Sequence, residues 1–178
     1  MNSFVEYTAA VHMSTILLAP PIALRRAQED DLPLLYRVYA STRQDELAIV
    51  EWDEAQKEWF LRMQFDLQTR AYAQTFPGAD CQVVLRDGQP IGRLMVERTL
   101  GQIILVDIAL LPEHRHAGIG AALVRMVLNE AAAASKPVVL HVEKSNRARF
   151  LYERLGFVMC AADDVYLEMR WPAHGIAP

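Results

Sequence analysis

The amino-acid sequence predicts a single α/β domain built around one mixed sheet. Short apolar runs typical of strands alternate with longer segments whose apolar residues recur at helical spacing, in the order βαα-ββ-βαβα-ββ. The 178 residues are enough to bury a core without disulfides or a metal. A hydrophobic fraction of 52% and a charged fraction of 22% are typical of globular proteins, and no internal repeat or linker divides the chain.

Composition and charge exclude several classes of function. The formal net charge of −4, without a basic stretch, argues against a nucleic-acid partner. Cys81 and Cys160 are too few for a disulfide framework, so we expect reduced thiols. The apolar run at 16–18 is far shorter than the roughly 20 residues of a membrane span, and no Lys or Arg occurs before Arg25. We therefore expect residues 1–20 to be a weakly ordered leader, residues 21–173 to form the domain, and the protein to be cytoplasmic with no membrane partner.

The N-terminal half predicts one strand, two helices and a hairpin. Residues 22–26 read as a strand, and a helix opens after Asp30-Asp31 with Pro33 in its first turn. A longer helix is predicted from about residue 53 to residue 72. The residues that we assign to its inner face are Trp59, Phe60, Met63, Leu67 and Ala71. The strands of the hairpin are predicted at 81–85 and 91–96, with Asp87-Gly88 in the turn.

The C-terminal half begins with a nearly continuous apolar run from Ile103 to Leu111, which predicts a strand buried on both faces. Asp107 is the one charge within it. The remaining predicted elements are a helix at 118–134, a strand at 138–142, a helix at 147–155 closed by Gly156, and strands at 157–160 and 165–169.

The segment 111–121, LPEHRHAGIGA, carries the clearest chemical signal. It joins a strand to a helix whose first N–H groups have no intrahelical partner and whose dipole attracts anions. Gly118 and Gly120 would let a phosphate approach the backbone, and Arg115 adds a cation. The glycines alone fit a simple tight turn equally well. No Gly-Lys-Ser/Thr follows them and the spacing is not Gly-x-Gly-x-x-Gly, which disfavours a P-loop and a dinucleotide fold.

The pattern Arg-x-x-Gly-x-Gly resembles the pyrophosphate loop of the GNAT superfamily of acetyl-CoA-dependent N-acetyltransferases. The residues before it, 107–112, resemble that family's fourth strand. A second block, Leu140-His141-Val142 followed by Asn146 and the segment 151–157 (LYERLGF), resembles its fifth strand, fourth helix and next strand. The resemblance is specific from about residue 103 to residue 157 and looser from 22 to 98.

The resemblance implies a GNAT-like fold: a mixed, mostly antiparallel central sheet of about six to seven strands, the fourth and fifth splayed apart, flanked by about four helices. It also implies an N-acetyltransferase in which an amine attacks the thioester of acetyl-CoA directly. The residues expected to bind this co-substrate are Ile108, Ala109 and Leu110 along the pantetheine arm, and Arg115, His116, Ala117, Gly118, Ile119, Gly120 and Ala121 around the pyrophosphate.

Three further residues have two readings each. Asn146 matches a position that often contacts the cofactor arm, but asparagine is equally suited to capping the helix that follows. Tyr152 matches the family's frequent general acid, or it is an aromatic packing residue. Asp107 is a candidate general base, because the attacking amine must lose a proton, or it is a structural carboxylate. His141 reads as a core residue, and Cys160 has no basic neighbour that would make it a nucleophile.

The acceptor is expected to be a small-molecule or peptide amine. The region expected to shape its site mixes acidic with aromatic residues, which would suit a cationic acceptor such as a polyamine, an aminoglycoside or a lysine side chain, although a solvated helix face has the same composition. The acidic residues are Asp45, Glu46, Glu51, Asp53, Glu54 and Glu58. Two other functions stay open, a non-catalytic acyl-CoA sensor and a nucleotide-binding protein of another class. The sequence also leaves room for a homodimer.

Overall fold

A computed structural model describes residues 16–18 and 22–172. Within these residues one sheet contains eight strands in the order β1-β2-β3-β4-β5-β6-β8-β7. The strands are β1 Ile16–Leu18, β2 Ile22–Arg26, β3 Ala79–Arg86, β4 Gln89–Arg98, β5 Ile103–Leu110, β6 Val138–Glu143, β7 Val158–Ala162 and β8 Tyr166–Trp171. The helices are α1 Leu32–Thr42, α2 Gln44–Ala48, α3 Glu54–Thr75, α4 Ile119–Ala133 and α5 Ala148–Arg154.

The predicted fold class is confirmed. In the described sheet β5 and β6 are parallel and the other neighbouring strands are antiparallel, which makes the sheet mixed and mostly antiparallel. The short strand β1 and the five-residue helix α2 are additions to the seven strands and four helices that the sequence indicated. Residues 16–18 of the expected leader form β1. The other residues of that leader lie outside the described residues. The boundaries of leader and domain therefore stay a prediction.

Local predictions at turns and helix starts are mostly confirmed. Asp87 and Gly88 take positive φ values of 51° and 77° in the β3–β4 hairpin, as its two-residue turn requires. Pro33 lies in the first turn of α1. The acidic cap expected there differs in detail, because the Asp31 carboxylate accepts two hydrogen bonds from the Arg25 guanidinium, at 2.6 and 2.7 Å, rather than capping the helix.

The sheet carries different side chains on its two faces, because successive residues of a strand point in opposite directions. Leu94 and Val96 of β4 belong to the main hydrophobic core, which also contains Leu123 and Val127 of α4. Arg93 and Met95, which alternate with those residues, line a cavity together with residues of α1 and α3. The α4 face is therefore the apolar core, and the face under α1 and α3 holds the buried arginine.

The prediction of which residues of α3 face the protein interior is wrong. Trp59, Leu67 and Ala71 are exposed, and Phe65 is the residue that is buried, against Leu35 and Tyr39 of α1. The inward stripe comprises Leu61, Phe65, Gln68 and Tyr72 at helical spacing. Apolar periodicity failed here because half of this stripe is polar and meets charged groups of the sheet.

No helix among the described residues is long and apolar enough to span a membrane. Within the same residues no three His, Cys, Asp or Glu side chains are grouped so that they could hold a metal ion.

Candidate active site

The parallel strands β5 and β6 separate partway along their length. They pair at Ile103–Leu105 with Val138–Leu140, and the pairing stops there although both strands continue. At the same point β5 carries a β-bulge: Val96 pairs with Leu105 and Met95 with Asp107, which leaves an extra residue on β5. A bulge bends a strand and increases its twist, so β5 turns away from β6.

The predicted splay is therefore observed, and it exposes one edge of residues 106–110. The sequence prediction of burial on both faces is wrong for this part of β5, because the residues 106–109 are only half-buried. They line the opening between the two strands. Backbone N–H and C=O groups on this edge have no partner strand among the described residues and can pair with an extended ligand.

The loop after β5 forms a concave surface of N–H groups. His116 and Gly118 take the left-handed conformation, with φ values of 59° and 78°, just before α4. Left-handed residues in such a turn direct neighbouring N–H groups into an anion-binding concavity. The N–H of Ala122 bonds to the carbonyl of Gly118 at 3.0 Å, so the three N–H groups before it, in the first turn of α4, point toward the loop.

The space in front of this turn is open. A Cβ added at Gly118 would meet no heavy atom within 4 Å, and one added at Gly120 would meet only Leu151 of α5, at 3.8 Å. The first turn of α4 contains no acidic residue that would repel an anion. Both the backbone geometry and the free space therefore fit a phosphate group close to the helix N-terminus.

The side chain of Arg115 is engaged in bonds within the protein. Its Nε donates to the carbonyl of Leu110 at 2.8 Å, and its Nη2 donates to Ser41 Oγ at 2.8 Å and to the Ser41 carbonyl at 3.1 Å. The guanidinium thus ties the loop to the end of β5 and to the end of α1. It shapes the loop through these bonds in addition to carrying a positive charge.

Asp107 forms an ion pair with Arg93 of β4, whose Nη2 contacts the carboxylate. Arg93 is only 5% exposed, and the same Nη2 also donates to Gln68 Oε1 of α3 at 3.2 Å. The carboxylate is therefore fixed in position at the splay and has a structural partner, as the second reading of Asp107 required. The ion pair with Arg93 does not test whether Asp107 acts as a base, so that role stays a prediction.

Two tyrosines lie within electrostatic reach of Asp107. Burial, and then the negative charge of Asp107, raise the pKa of Tyr152 on α5 above its ordinary value. The same two causes, in the same order, raise the pKa of Tyr72 on α3 to about 12. Both hydroxyls consequently remain protonated at neutral pH. Tyr152 is 6% exposed and packs edge-on against Phe157, with 5.7 Å between ring centroids, so it also has the packing role considered above.

Asn146 lies directly before Arg147, the N-cap residue of helix α5. Its Oδ1 accepts a hydrogen bond from the N–H of Ala148 at 2.9 Å, at the first residue of the helix. The residue is exposed, so its side-chain amide group can also reach a ligand. The side chain therefore satisfies an N–H group at the helix start although Asn146 is not the N-cap residue, and the cofactor contact stays a prediction.

Most of the acidic residues near α2 and α3 have partners. Glu46 pairs with Arg43 at 2.9 Å, Glu54 with Lys57 at 3.2 Å, and Glu58 with Arg62 at 2.7 Å. Asp53 accepts the Gln56 N–H at 2.8 Å and caps α3. Three of the six acidic residues are thus paired with a cation and a fourth caps a helix, as the solvated-face reading expects.

The other two side chains considered as catalysts, those of His141 and Cys160, are both exposed. The side chain of His141 is 55% exposed, 3.6 Å from Glu168 on β8, so its reading as a core residue is wrong. Cys160 is an exposed, free cysteine on β7.

Three residues of this site, Arg93, Gln68 and Tyr72, were not predicted from the sequence. A signal was present for one of them, since Arg93 interrupts the apolar run IGRLMV just as Asp107 interrupts its own strand. Opposite charges within two buried strands of one antiparallel pair predict a cross-strand ion pair.

Comparison with known proteins supports the family resemblance. Residues 77–159 match the family model described as "Acetyltransferase (GNAT) domain". This stretch contains the hairpin, both splayed strands, the anion-binding loop and Tyr152. The resemblance stated from the motifs is therefore confirmed for this stretch.

Two curated relatives share 32% identity with parts of the chain. One is the [ribosomal protein bS18]-alanine N-acetyltransferase of Haemophilus influenzae, matched over 75 residues, 42% of this chain and 51% of the relative. The other is the mycothiol acetyltransferase of Streptomyces griseus, matched over 109 residues, 58% of this chain and 35% of the relative. The matches thus span about half and about a third of the relatives' lengths.

A similar solved structure is the PaiA N-acetyltransferase of Thermoplasma acidophilum in complex with coenzyme A. The TM-score is 0.65 at 21% identity, and the alignment covers 85% of this chain and 99% of that one. At this identity the similarity establishes the fold.

Proposed function

We propose that this protein is an N-acetyltransferase that transfers the acetyl group of acetyl-CoA to an amine. The observation that carries the proposal is the splay of β5 and β6 directly before the anion-binding loop, with Asp107 on the splayed part of β5 and the buried Tyr152 within electrostatic reach of it. The names of the relatives, which are acetyltransferases, agree with this activity.

The proposed site residues would bind the pantetheine arm and the pyrophosphate of acetyl-CoA. Residues 108–110, on the free edge of β5, would pair through their backbone with the amide groups of the pantetheine arm. The N–H groups of the loop 115–121 would bind the pyrophosphate, where positive φ values and open space are present. Asn146 would contact the arm near the start of α5. When bound, acetyl-CoA supplies the reactive thioester in the splay.

The reaction requires two proton movements. The amine must lose a proton so that its nitrogen can attack the thioester carbon; the new C–N bond replaces the C–S bond, and the products are an N-acetylamine and the free thiol of CoA. Asp107 is the proposed base, acting directly or through water. Tyr152, whose hydroxyl stays protonated, would donate to the departing sulfur. Backbone N–H groups of β5 would stabilise the negative charge that develops on the carbonyl oxygen.

A thiol-release assay tests the proposal. Purified protein is incubated with acetyl-CoA and a panel of amines, free CoA thiol is followed with a chromogenic reagent, and the N-acetyl product is identified by mass spectrometry. Thiol release that depends on an amine, with one product per thiol, is expected. Tight binding of acetyl-CoA without release on any amine would instead favour the sensor, and stabilisation by ATP or NAD but not by acetyl-CoA would favour another nucleotide-binding class.

The assembly and location proposed with this function are a homodimer in the cytoplasm. The strand β7, at one edge of the described sheet, is exposed throughout and carries no charged residue, whereas exposed sheet edges usually carry charges. Pairing with a second copy would cover it. The two free cysteines suit a reducing compartment. Light scattering of the purified protein tests the dimer.

A further inference from the structure

A cavity of about 280 Å³ lies on the α1 and α3 face of the sheet. None of its lining residues belongs to the cofactor loop 115–121. Its walls come from α1, from the second half of α3 and the residues just after it, and from strands β3 and β4. The lining residues used below are Leu35, Phe65, Tyr72, Ala73, Arg93 and Met95.

The walls are mostly apolar, and Arg93 is the one charged residue among those that line the cavity. Its Nη2 donates to Gln68 and forms the ion pair with Asp107, but its Nε, like Asp107 Oδ2, has no hydrogen-bond partner within the part of the chain that is described. A buried donor without an acceptor is costly, so native proteins rarely leave one unpaired. One oxygen atom placed beside Arg93 would remove this cost.

The cavity lies next to the proposed reaction centre. Met95, on its wall, pairs across the strands with Asp107, and Arg93 contacts the Asp107 carboxylate itself. Tyr72, also on the wall, is close enough to feel the charge of Asp107. A molecule in the cavity that contacts Arg93 would therefore lie close to Asp107, the proposed base, which Arg93 also contacts.

We propose that this cavity binds the acceptor, and that the acceptor is an α-amino carbonyl compound with an apolar side chain. The inference rests on the proposed function and names its substrate class. The side chain would occupy the apolar walls, the carbonyl oxygen would accept from Arg93 Nε–H, and the amine would face Asp107. Because Arg93 and Asp107 are in contact, carbonyl and amine must be close neighbours in the ligand, as they are when both are attached to one carbon.

The chemistry of the α-amine agrees with this assignment. An α-amino group has a pKa of about 7.7–8.0, against about 10.4 for a lysine side chain, so a larger fraction is already neutral at neutral pH. A carboxylate base that is held in an ion pair therefore has to remove a proton from a smaller fraction of such amine molecules. Polyamines and aminoglycosides fit poorly, because their many polar groups would be buried against apolar walls.

The first test compares substrates that differ in the carbonyl alone. L-Leucinamide and 3-methylbutylamine present the same side chain and amine, but the second lacks the carbonyl group. We expect kcat/KM to be about 10- to 100-fold higher for leucinamide, the effect of one hydrogen bond to a charged donor. Free L-leucine and the dipeptide leucyl-glycine distinguish a free amino acid from the N-terminus of a chain. Equal kcat/KM for leucinamide and 3-methylbutylamine would overturn the inference.

The second test fills the cavity. Ala73 lines it and is exposed on α3, so in Ala73→Trp the indole can enter the cavity without disturbing the core. Ala71→Trp is the matched control, since Ala71 is exposed on the same helix but does not line the cavity. We expect Ala73→Trp to raise KM for leucinamide at least about 10-fold, with unchanged acetyl-CoA affinity, and Ala71→Trp to behave as wild type. Identical KM values for both variants would overturn the inference.

Calorimetric binding of leucinamide in the presence of CoA separates the two proposals, because it needs no turnover. Binding that Ala73→Trp removes, with no acetylation of any amine, would refute the proposed function and support the cavity as a ligand site. Acetylation of other amines, with no binding or turnover of leucinamide, would support the proposed function and overturn the substrate class.

Discussion

Replacement of Tyr152 by phenylalanine tests the proposed general acid. The ring would keep its edge-on packing on Phe157, because the substitution removes only the hydroxyl. Burial and the charge of Asp107 hold the pKa of Tyr152 above that of a free tyrosine, about 10, whereas a thiol such as that of CoA has a pKa of about 8.5. The hydroxyl is thus a weaker acid than the thiol that it would protonate.

This comparison sets the expected magnitude for Tyr152→Phe. Complete proton transfer in the transition state is unfavourable, so the benefit is mainly one hydrogen bond to a developing thiolate, about 1.5–3 kcal/mol, or about 10- to 150-fold in rate. The assay is kcat on the best acceptor, beside the dissociation constant of acetyl-CoA by calorimetry. We expect kcat to fall while that constant stays within about two-fold, the pattern of an interaction used in the transition state. A wild-type kcat with chemistry rate-limiting would make Tyr152 a packing residue.

Three further predictions concern positions that hold the site together. Gly92→Ala would place a Cβ 2.5 Å from the Ala109 carbonyl oxygen, so we expect the free energy of unfolding to fall by about 1–3 kcal/mol in chemical denaturation. Arg115→Lys loses the hydrogen bonds that tie the loop to Ser41 and β5; a destabilisation of about 1–3 kcal/mol and weaker acetyl-CoA binding are expected, and unchanged binding would remove the loop from the account. Since the pKa of Tyr72 is raised to about 12 in the folded protein, the unfolded chain ionises first, and stability should fall as pH rises from 10 toward 12. Denaturation curves of Tyr72→Phe should show a shallower fall over that range, and an identical slope would contradict the shift.

The loop and the strands beside it could be predicted from the sequence because their signals are local, whereas the splay of the strands was implied by the family resemblance alone. The Arg-x-x-Gly-x-Gly motif is interpretable when a strand precedes it and a helix follows it. The apolar pattern of the neighbouring residues predicts both elements. The Asp87-Gly88 turn is local in the same way, since its conformation depends on two residues.

The other face of the site could not be predicted because its contacts join distant parts of the chain. The bond from Arg115 to Ser41 spans 74 residues, and that from Arg93 to Gln68 spans 25. The helix α3 was oriented by its apolar residues, but polar contacts decide which side faces the sheet, and Tyr72 lies on that side. An orientation error of about half a turn therefore hid the cavity and the residues that line it.

Equilibrium binding of acetyl-CoA is the most direct test of the account. Calorimetry compares acetyl-CoA with acetyl-pantetheine, which lacks the pyrophosphate, on wild type, Gly120→Ala and Gly120→Val. A Cβ at Gly120 makes only an ordinary contact at 3.8 Å, so the variants should fold, and their unfolding midpoints check this. We expect wild type to bind acetyl-CoA at least about 10-fold more tightly than acetyl-pantetheine, and Gly120→Val to lose that preference because its side chain fills the space before the helix. Equal affinity of wild type for the two ligands, or an undiminished preference in Gly120→Val, would contradict the placement of the cofactor.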